Sequence, residues 1–293
     1  MNILVCFLEK SMQDPHCGSS FLAIGWFCLV GFVHSKSLAA GQPINGTNVP
    51  SISIYGGTPA VAGEFPFMAS LLVGSSSFCG ATLIGPSHLL TAAHCIENAT
   101  DADLKHSKIS INGLNILGND TTAIKRNASK FIKHESYVHT KLIIDHDIAI
   151  VVLSSPVKNI RFSSLPTKPA DSSTFSTYQN KTAVATGWGG TQSGSLSWLL
   201  LKANLTIQTT ANCLKQYTQD FNAVFKMCAK GLRSQNTCPG DSGGPLMVSG
   251  VQVGIVSYGK GACGTIPSVF TRVSAYLNWI STTLARNPAP AAG

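Results

Sequence analysis

Short apolar runs separated by turn residues fill the chain from Ile54 onward. They include FPFMASLLVG (65–74), ATLIGPSHLLTAA (81–93), KISINGLNIL (108–117), DIAIVVL (147–153), TAVATGW (182–188), PLMVSGVQVGIVSYG (245–259) and SVFTRV (268–273). Their Val, Ile, Thr and aromatic content, bounded by Gly, Pro, Asn and Ser, predicts the strands of an all-β barrel or sandwich. One segment follows another period. Ala275, Leu277, Trp279, Ile280 and Leu284 share one face of a helix that should end before Asn287-Pro288. The last residues, NPAPAAG, read as a loose tail.

Ahead of this region, FLAIGWFCLVGFV (21–33) is an unbroken apolar run. It is short for a bilayer span and fits the hydrophobic region of a secretory signal. Small residues at Ser37, Ala39 and Ala40 suit cleavage near 39–40, so residues 1–40 are expected to be removed; Met12 is an alternative start. The polar stretch 41–53 reads as a leader. Asn-X-Ser/Thr acceptors at Asn45, Asn98, Asn119, Asn127, Asn180 and Asn204 agree with export and glycosylation.

Composition narrows the class. Hydrophobic residues at 44% against 12% charged exclude a disordered chain and support one large domain or two small ones. The net charge of +8 comes without a dense Lys/Arg run or basic stretches interleaved with aromatics. A dispersed basic surface follows, and no nucleic acid is expected as a partner. Cys6, Cys17 and Cys28 fall in the segment to be discarded, leaving six: Cys79, Cys95, Cys213, Cys228, Cys238 and Cys263. An even count in an exported domain implies three disulfides, and sequence order leaves all fifteen pairings open. Without CxxC or HxxxH spacing, no metal is expected.

Three segments carry the elements of acyl transfer, which needs a nucleophile, a base, a group to orient the base and donors for an oxyanion. In Gly240-Asp241-Ser242-Gly243-Gly244-Pro245, glycines flanking Ser242 let the backbone turn sharply and aim the N–H groups of Gly240 and Ser242 at one point. His94 stands in TAAHC, where small residues leave room for an imidazole. Asp147 directly precedes an apolar run, unlike its neighbours Asp145 and His146, so its carboxylate should be shielded from water and able to orient His94.

TAAHC, DIAI and GDSGGP, in this order, resemble the chymotrypsin/trypsin-like serine proteases. The likeness runs from IYGG at 54 to the terminal helix and implies two six-stranded antiparallel β-barrels, about 54–165 and 166–273, followed by a C-terminal α-helix. It implies a serine endopeptidase with His94, Asp147 and Ser242 as triad and the N–H groups of Gly240 and Ser242 as oxyanion hole. It also implies the pairings Cys79–Cys95, Cys213–Cys228 and Cys238–Cys263. Ser257-Tyr258-Gly259 would pair with the substrate backbone, with Ser257 also bonded to Asp147. The expected enzyme is extracellular and monomeric, needs no cofactor, leaves the membrane once its signal is removed, and meets protein or peptide substrates and protein inhibitors.

Three features depart from that family. Activation there frees an Ile-like N-terminus that pairs with the aspartate before the catalytic serine, here Ile54 and Asp241. Yet Ser53, not Arg or Lys, precedes Ile54. At the expected floor of the specificity pocket stands Asn236 in place of an aspartate, and Ser268 replaces a wall glycine. Neither would attract Arg or Lys. The loop at 114–117 lacks the paired acids of the family's calcium site.

Overall fold

All five residues of Ala149–Leu153 are buried, so this strand has no side to offer to water and must lie inside a sheet. The computed structural model describes residues 54, 56–74, 77–117, 119–171, 173–218 and 221–289. The expected signal and leader (1–53) lie outside the described residues, as does Tyr55.

A two-residue strand, β1 (Thr58–Pro59), opens the described fold. Then come β2 (Met68–Val73), β3 (Ser77–Gly85), β4 (His88–Thr91), β5 (Lys108–Ile111), β6 (Ile124–Arg126) and β7 (Ala128–Lys133). The pair β8 (Val138–His139) and β9 (Ile144–Asp145) precedes β10 (Ala149–Leu153). Seven of these form one antiparallel sheet in the order β6-β5-β2-β3-β4-β10-β7, whose two end strands do not pair with each other. The second half supplies β11 (Thr182–Gly187), β12 (Leu201–Ile207), β13 (Lys226–Gly231), β14 (Pro245–Val248), β15 (Val251–Tyr258) and β16 (Ser268–Arg272). These run β12-β11-β14-β15-β16-β13, and pairing of β12 with β13 closes a six-stranded barrel. The fold is all-β, with two short helices, α1 (Asp101–His106) and α2 (Thr210–Gln216), and a terminal one, α3 (Leu277–Arg286).

Each β-layer has its own core. Leu71, Leu83, Leu89, Ile109 and Ile150 fill the first, and Tyr276 and Ile280 from the C-terminal segment pack into the same cluster. Ala275, Leu277, Trp279 and Leu284 lean on it too, so all five residues of the helical stripe face this core. Ala185, Leu205, Met227, Val256 and Phe270 fill the barrel, joined by Ile54. Each large side chain so buried contributes about 1.5–3 kcal/mol.

The two layers meet at a polar joint. Gln252 on β15 is fully buried, and its Oε1 accepts from Thr82 Oγ1 on β3 at 2.7 Å and from Ser163 Oγ at 2.8 Å. Disulfides join Cys79–Cys95, Cys213–Cys228 and Cys238–Cys263. Each closes a loop of 15 to 25 residues, worth about 2–4 kcal/mol in the chain-entropy account.

Candidate active site

His94 sits in a single 3₁₀ turn, Ala93–Ile96, directly after β4. Its neighbour Cys95 is bonded to Cys79 on β3, and Thr91 Oγ1 donates to Gly80 O at 2.8 Å, so strand and disulfide together fix the turn. Asp147 ends the approach to β10 and is 2% exposed. Its Oδ1 accepts from the His94 backbone N–H at 2.9 Å, and its Oδ2 lies 2.8 Å from His94 Nδ1. An ionised carboxylate only accepts, so Nδ1 carries the proton and Nε2 keeps its lone pair. Ser257 Oγ on β15 donates to the same Oδ2 at 2.5 Å, and Thr271 Oγ1 on β16 donates to the Asp147 carbonyl at 2.8 Å. The carboxylate therefore bridges the first sheet and the barrel.

The adjacent Asp145 and His146 point elsewhere. Asp145 faces Lys226 at 3.6 Å, and His146 stacks on His134 with ring centres 5.1 Å apart. His146 takes φ of 49°, which reverses the chain just before Asp147.

Ser242 lies in the tight turn between Cys238 and β14. Gly240 and Gly243 have φ of 98° and 77°, values costly for residues with a Cβ. A Cβ at Gly243 would also collide with Thr91 Oγ1 and Gly80 O. The serine turn is thus pressed against the strands that lead to His94, and Gly80 N–H donates to Ser242 O at 2.7 Å. The N–H groups of Asp241, Gly243 and Gly244 each donate to a carbonyl, whereas those of Gly240 and Ser242 have no acceptor among the described residues. His94 Nε2 lies 3.9 Å from Cys95 Sγ and makes no hydrogen bond to Ser242 in this arrangement. Such bonds commonly tighten only when substrate fills a site.

Electrostatics distinguish three of these groups. Burial favours neutral His94, but the Asp147 charge and hydrogen bond outweigh it and raise the imidazole above 6.5. Burial would likewise raise Asp147, yet its bonds to His94 and Ser257 hold it below 3.8. Asp241 has no such cation. Fully buried, its carboxylate accepts, among the described residues, the N–H groups of Gly189 and Cys238, at 2.7 and 2.9 Å, and burial pushes it up to about 7.

Beside Ser242 opens a cavity of about 250 Å³. Asn236 and Ser268 are among its lining residues, both nearly fully buried, together with Ser257, Tyr258 and Gly259. Lys260 is the one basic or acidic side chain of this lining, and its Nζ lies 4.9 Å from the Tyr217 ring centre. The structure thus joins Asp147 to His94 and Ser257, packs the Ser242 turn on the strands that lead to His94, and puts Asn236 and Ser268 in the cavity beside Ser242. Sequence reasoning missed Thr271, Lys260 and the two donors to Asp241; the only available signal was the nearness of Lys260 to Tyr258-Gly259. The one metal-ligand grouping among the described residues, Cys79, His94 and Cys95, is no metal centre, because its two sulfurs are bonded to each other.

Known proteins place this arrangement. The trypsin family model matches residues 54–280. A chymotrypsin of Phaedon cochleariae is 34% identical over 252 residues, covering 82% of this chain and 86% of that protein. The brachyurin of Leptuca pugilator is 33% identical, covering 80% and 100%, and trypsin Blo t 3 of Blomia tropicalis is 33% identical, covering 87% and 95%. The structure of mouse neuropsin, a serine protease, superposes with a TM-score of 0.67 over 78% of this chain and 98% of its own at 24% identity, a likeness of fold. The family match spans the strands, the histidine turn and the serine turn alike: this chain belongs to the trypsin family and is a chymotrypsin-like serine endopeptidase.

Proposed function

We propose that this chain is a secreted endopeptidase that cleaves peptide bonds through an acyl-enzyme at Ser242. Ser242 Oγ attacks the scissile carbonyl as its proton passes to His94 Nε2. Asp147 holds Nδ1–H in place and stabilises the imidazolium. The free N–H groups of Gly240 and Ser242 receive the oxyanion. Collapse expels the amine, which takes the proton from His94. Water then attacks the ester with His94 again as base, releasing the acid product and Ser242. Substrate backbone pairs with Ser257-Tyr258-Gly259 as an added strand. The observation that carries this reading is the Asp147 carboxylate, which grips His94 at both backbone and ring while the serine turn packs on the same strands.

In this reading the enzyme acts outside the cell as a monomer and is made as a zymogen with residues 1–40 as signal and 41–53 as leader. Cleavage before Ile54 creates an ammonium that pairs with Asp241. The burial of both Ile54 and Asp241 supports this pairing. The cysteine pairing, the signal-like segment and the sequons support export. Labelling of the processed protein with a serine-directed fluorophosphonate tests the mechanism. Covalent capture at Ser242, abolished by Ser242→Ala, is expected; absence of capture from the processed protein would assign an inert binding homologue instead.

A further inference from the structure

Glu97 directly follows the 3₁₀ turn that carries His94, and both residues line a cavity of about 290 Å³. Tyr137 O–H donates to Glu97 Oε2 at 2.6 Å, and His139 Nδ1–H donates to the same oxygen at 2.7 Å. The Glu97 carbonyl accepts from Lys133 Nζ at 2.9 Å. Three donors from outside the histidine turn thus converge on the one residue that ends it.

All three donors are fastened to chain on either side of Asp147. His139 ends β8 and pairs with Ile144 on β9, which runs on through His146 into Asp147. Tyr137 lies just before β8. Its N–H donates to His134 O at 3.0 Å, and His134 N–H donates to Ile148 O at 3.1 Å, so this turn hangs on the residue after Asp147. Lys133 ends β7 opposite Ala149, the first residue of β10. Asp147 therefore grips His94 from within, while Glu97 ties the same turn from outside to the segments that deliver that carboxylate.

Charge acts in the same direction. Burial alone would raise Glu97, but its bonds from Tyr137 and His139 and the charges of His139 and His94 hold it below 4.5. For His94, burial opposes the charged form, Asp147 favours it most, and Glu97 adds to Asp147. Burial and the bond to Glu97 push the Tyr137 hydroxyl up, so it stays a donor. Asp103 lines the same cavity with its carboxylate engaged by the N–H and hydroxyl of Thr100. The network ends at solvent, with the His139 side chain 39% exposed against 26% for Glu97. We propose that Glu97 is a positioning residue for His94: it holds the histidine turn against the hairpin that delivers Asp147, and its charge favours the imidazolium formed as Ser242 attacks. The proposal rests on the reading above in which His94 is the base.

Two measurements test it: NMR titration of the His94 imidazole in processed Ser242→Ala protein, and the pH profile of kcat/KM in processed enzyme that keeps Ser242. Glu97→Gln removes the charge but keeps an oxygen for Tyr137, so the fold should be retained. It should lower the His94 midpoint by about half a pH unit in both measurements, less at about 0.5 M salt than at about 0.05 M. It should also lower kcat about threefold with KM unchanged. His139→Gln should move the midpoint upward, because Glu97 then no longer shares its charge with an imidazolium. A staple with only a structural role would move both variants alike. Tyr137→Phe keeps the charge and cuts one tie, so kcat should fall about threefold at an unchanged midpoint. An unmoved His94 midpoint in Glu97→Gln would overturn the proposal, as would a loss confined to KM or full kcat in Tyr137→Phe. The titration uses protein without its nucleophile, so failure of this proposal and failure of the triad reading are separable.

Discussion

Ser268 Oγ donates to Asn236 Oδ1 at 2.8 Å, so two residues of the cavity beside Ser242 satisfy each other. Asn236 Oδ1 also accepts Thr237 N–H at 3.0 Å, and Asn236 Nδ2 donates to Ile266 O at 2.7 Å. The floor is therefore a closed, neutral network, and the charge at the cavity is the Lys260 cation. A Lys or Arg side chain placed there loses its hydration without a counter-ion, at a cost of several kcal/mol. We expect medium or small uncharged residues before the cut, such as Leu, Met, Ala or Gln. A library of fluorogenic peptides varied at that position measures it. A preference for Arg or Lys by about tenfold or more in kcat/KM, about 1.4 kcal/mol, would contradict the pocket argument and leave the triad untouched.

Catalysis should depend on the bridging carboxylate as well as on the nucleophile. Ser242→Ala and His94→Ala should each abolish nearly all turnover, and Asp147→Asn should lower kcat about 10⁴-fold by favouring the wrong tautomer. Ser257→Ala removes a donor to a charged acceptor, a bond worth about 1.5–3 kcal/mol. It should lower kcat by about tenfold or more with the fold intact by circular dichroism. Unchanged kcat in that variant would show that β15 does not help to position the base.

The pH dependence of turnover follows from His94. Its protonated form cannot accept the Ser242 proton, and Asp147 raises its pKa above 6.5. Activity should fall as pH drops through that raised value, giving an acid limb with a midpoint above 6.5 in kcat/KM. A profile flat from about pH 5 to about 8 would exclude His94 as the base.

Asp241 makes the precursor more sensitive to rising pH than the processed enzyme. In the uncut chain its folded pKa is about 7 against 3.8 for the model carboxyl, so the folded state holds a proton that the unfolded state has released. Stability of the precursor should therefore fall as pH rises through this interval, by a few kcal/mol in all. A freed Ile54 ammonium would supply the missing cation and lower that pKa, removing the loss. Thermal midpoints of uncut and cut Ser242→Ala protein at about pH 5 and about pH 7.5 test this. The advantage of the cut form should be larger at the higher pH; an equal gap at both would argue against the pairing. N-terminal sequencing of active enzyme should begin at Ile54.

Much of this was legible in the sequence because function sits at the edges of apolar runs. Asp147 is readable as it opens DIAIVVL, and Ser242 because glycines frame it. Other elements were illegible for physical reasons. Strand β7 lies at a sheet edge with mostly exposed or half-exposed side chains, and so lacks an apolar signature. Strand β12 alternates cleanly between buried and open positions, but Lys, Asn and Thr on its outer side broke the run that was sought. Helix α1 buries no residue and is instead started by Asp103, which accepts the Thr100 N–H at 2.8 Å. The Asn236–Ser268 bond joins residues far apart in the chain, so its two halves were each noticed without their relation.

The ends of the fold are exchanged between its halves. Ile54 and β1 belong to the barrel built from the second half, and the C-terminal helix seats Ile280 in the core of the first. Each half is therefore finished only by chain from the far side of the sequence. Cutting between residues 165 and 166 would leave two fragments, each with a core open where the other's strap should lie. During synthesis the first sheet must wait, uncovered, until the last helix emerges. The same crossing straps clasp the two halves together like two hands, so that His94 and Asp147 from the first and Ser242 from the second keep their spacing although no disulfide among the described residues joins the halves.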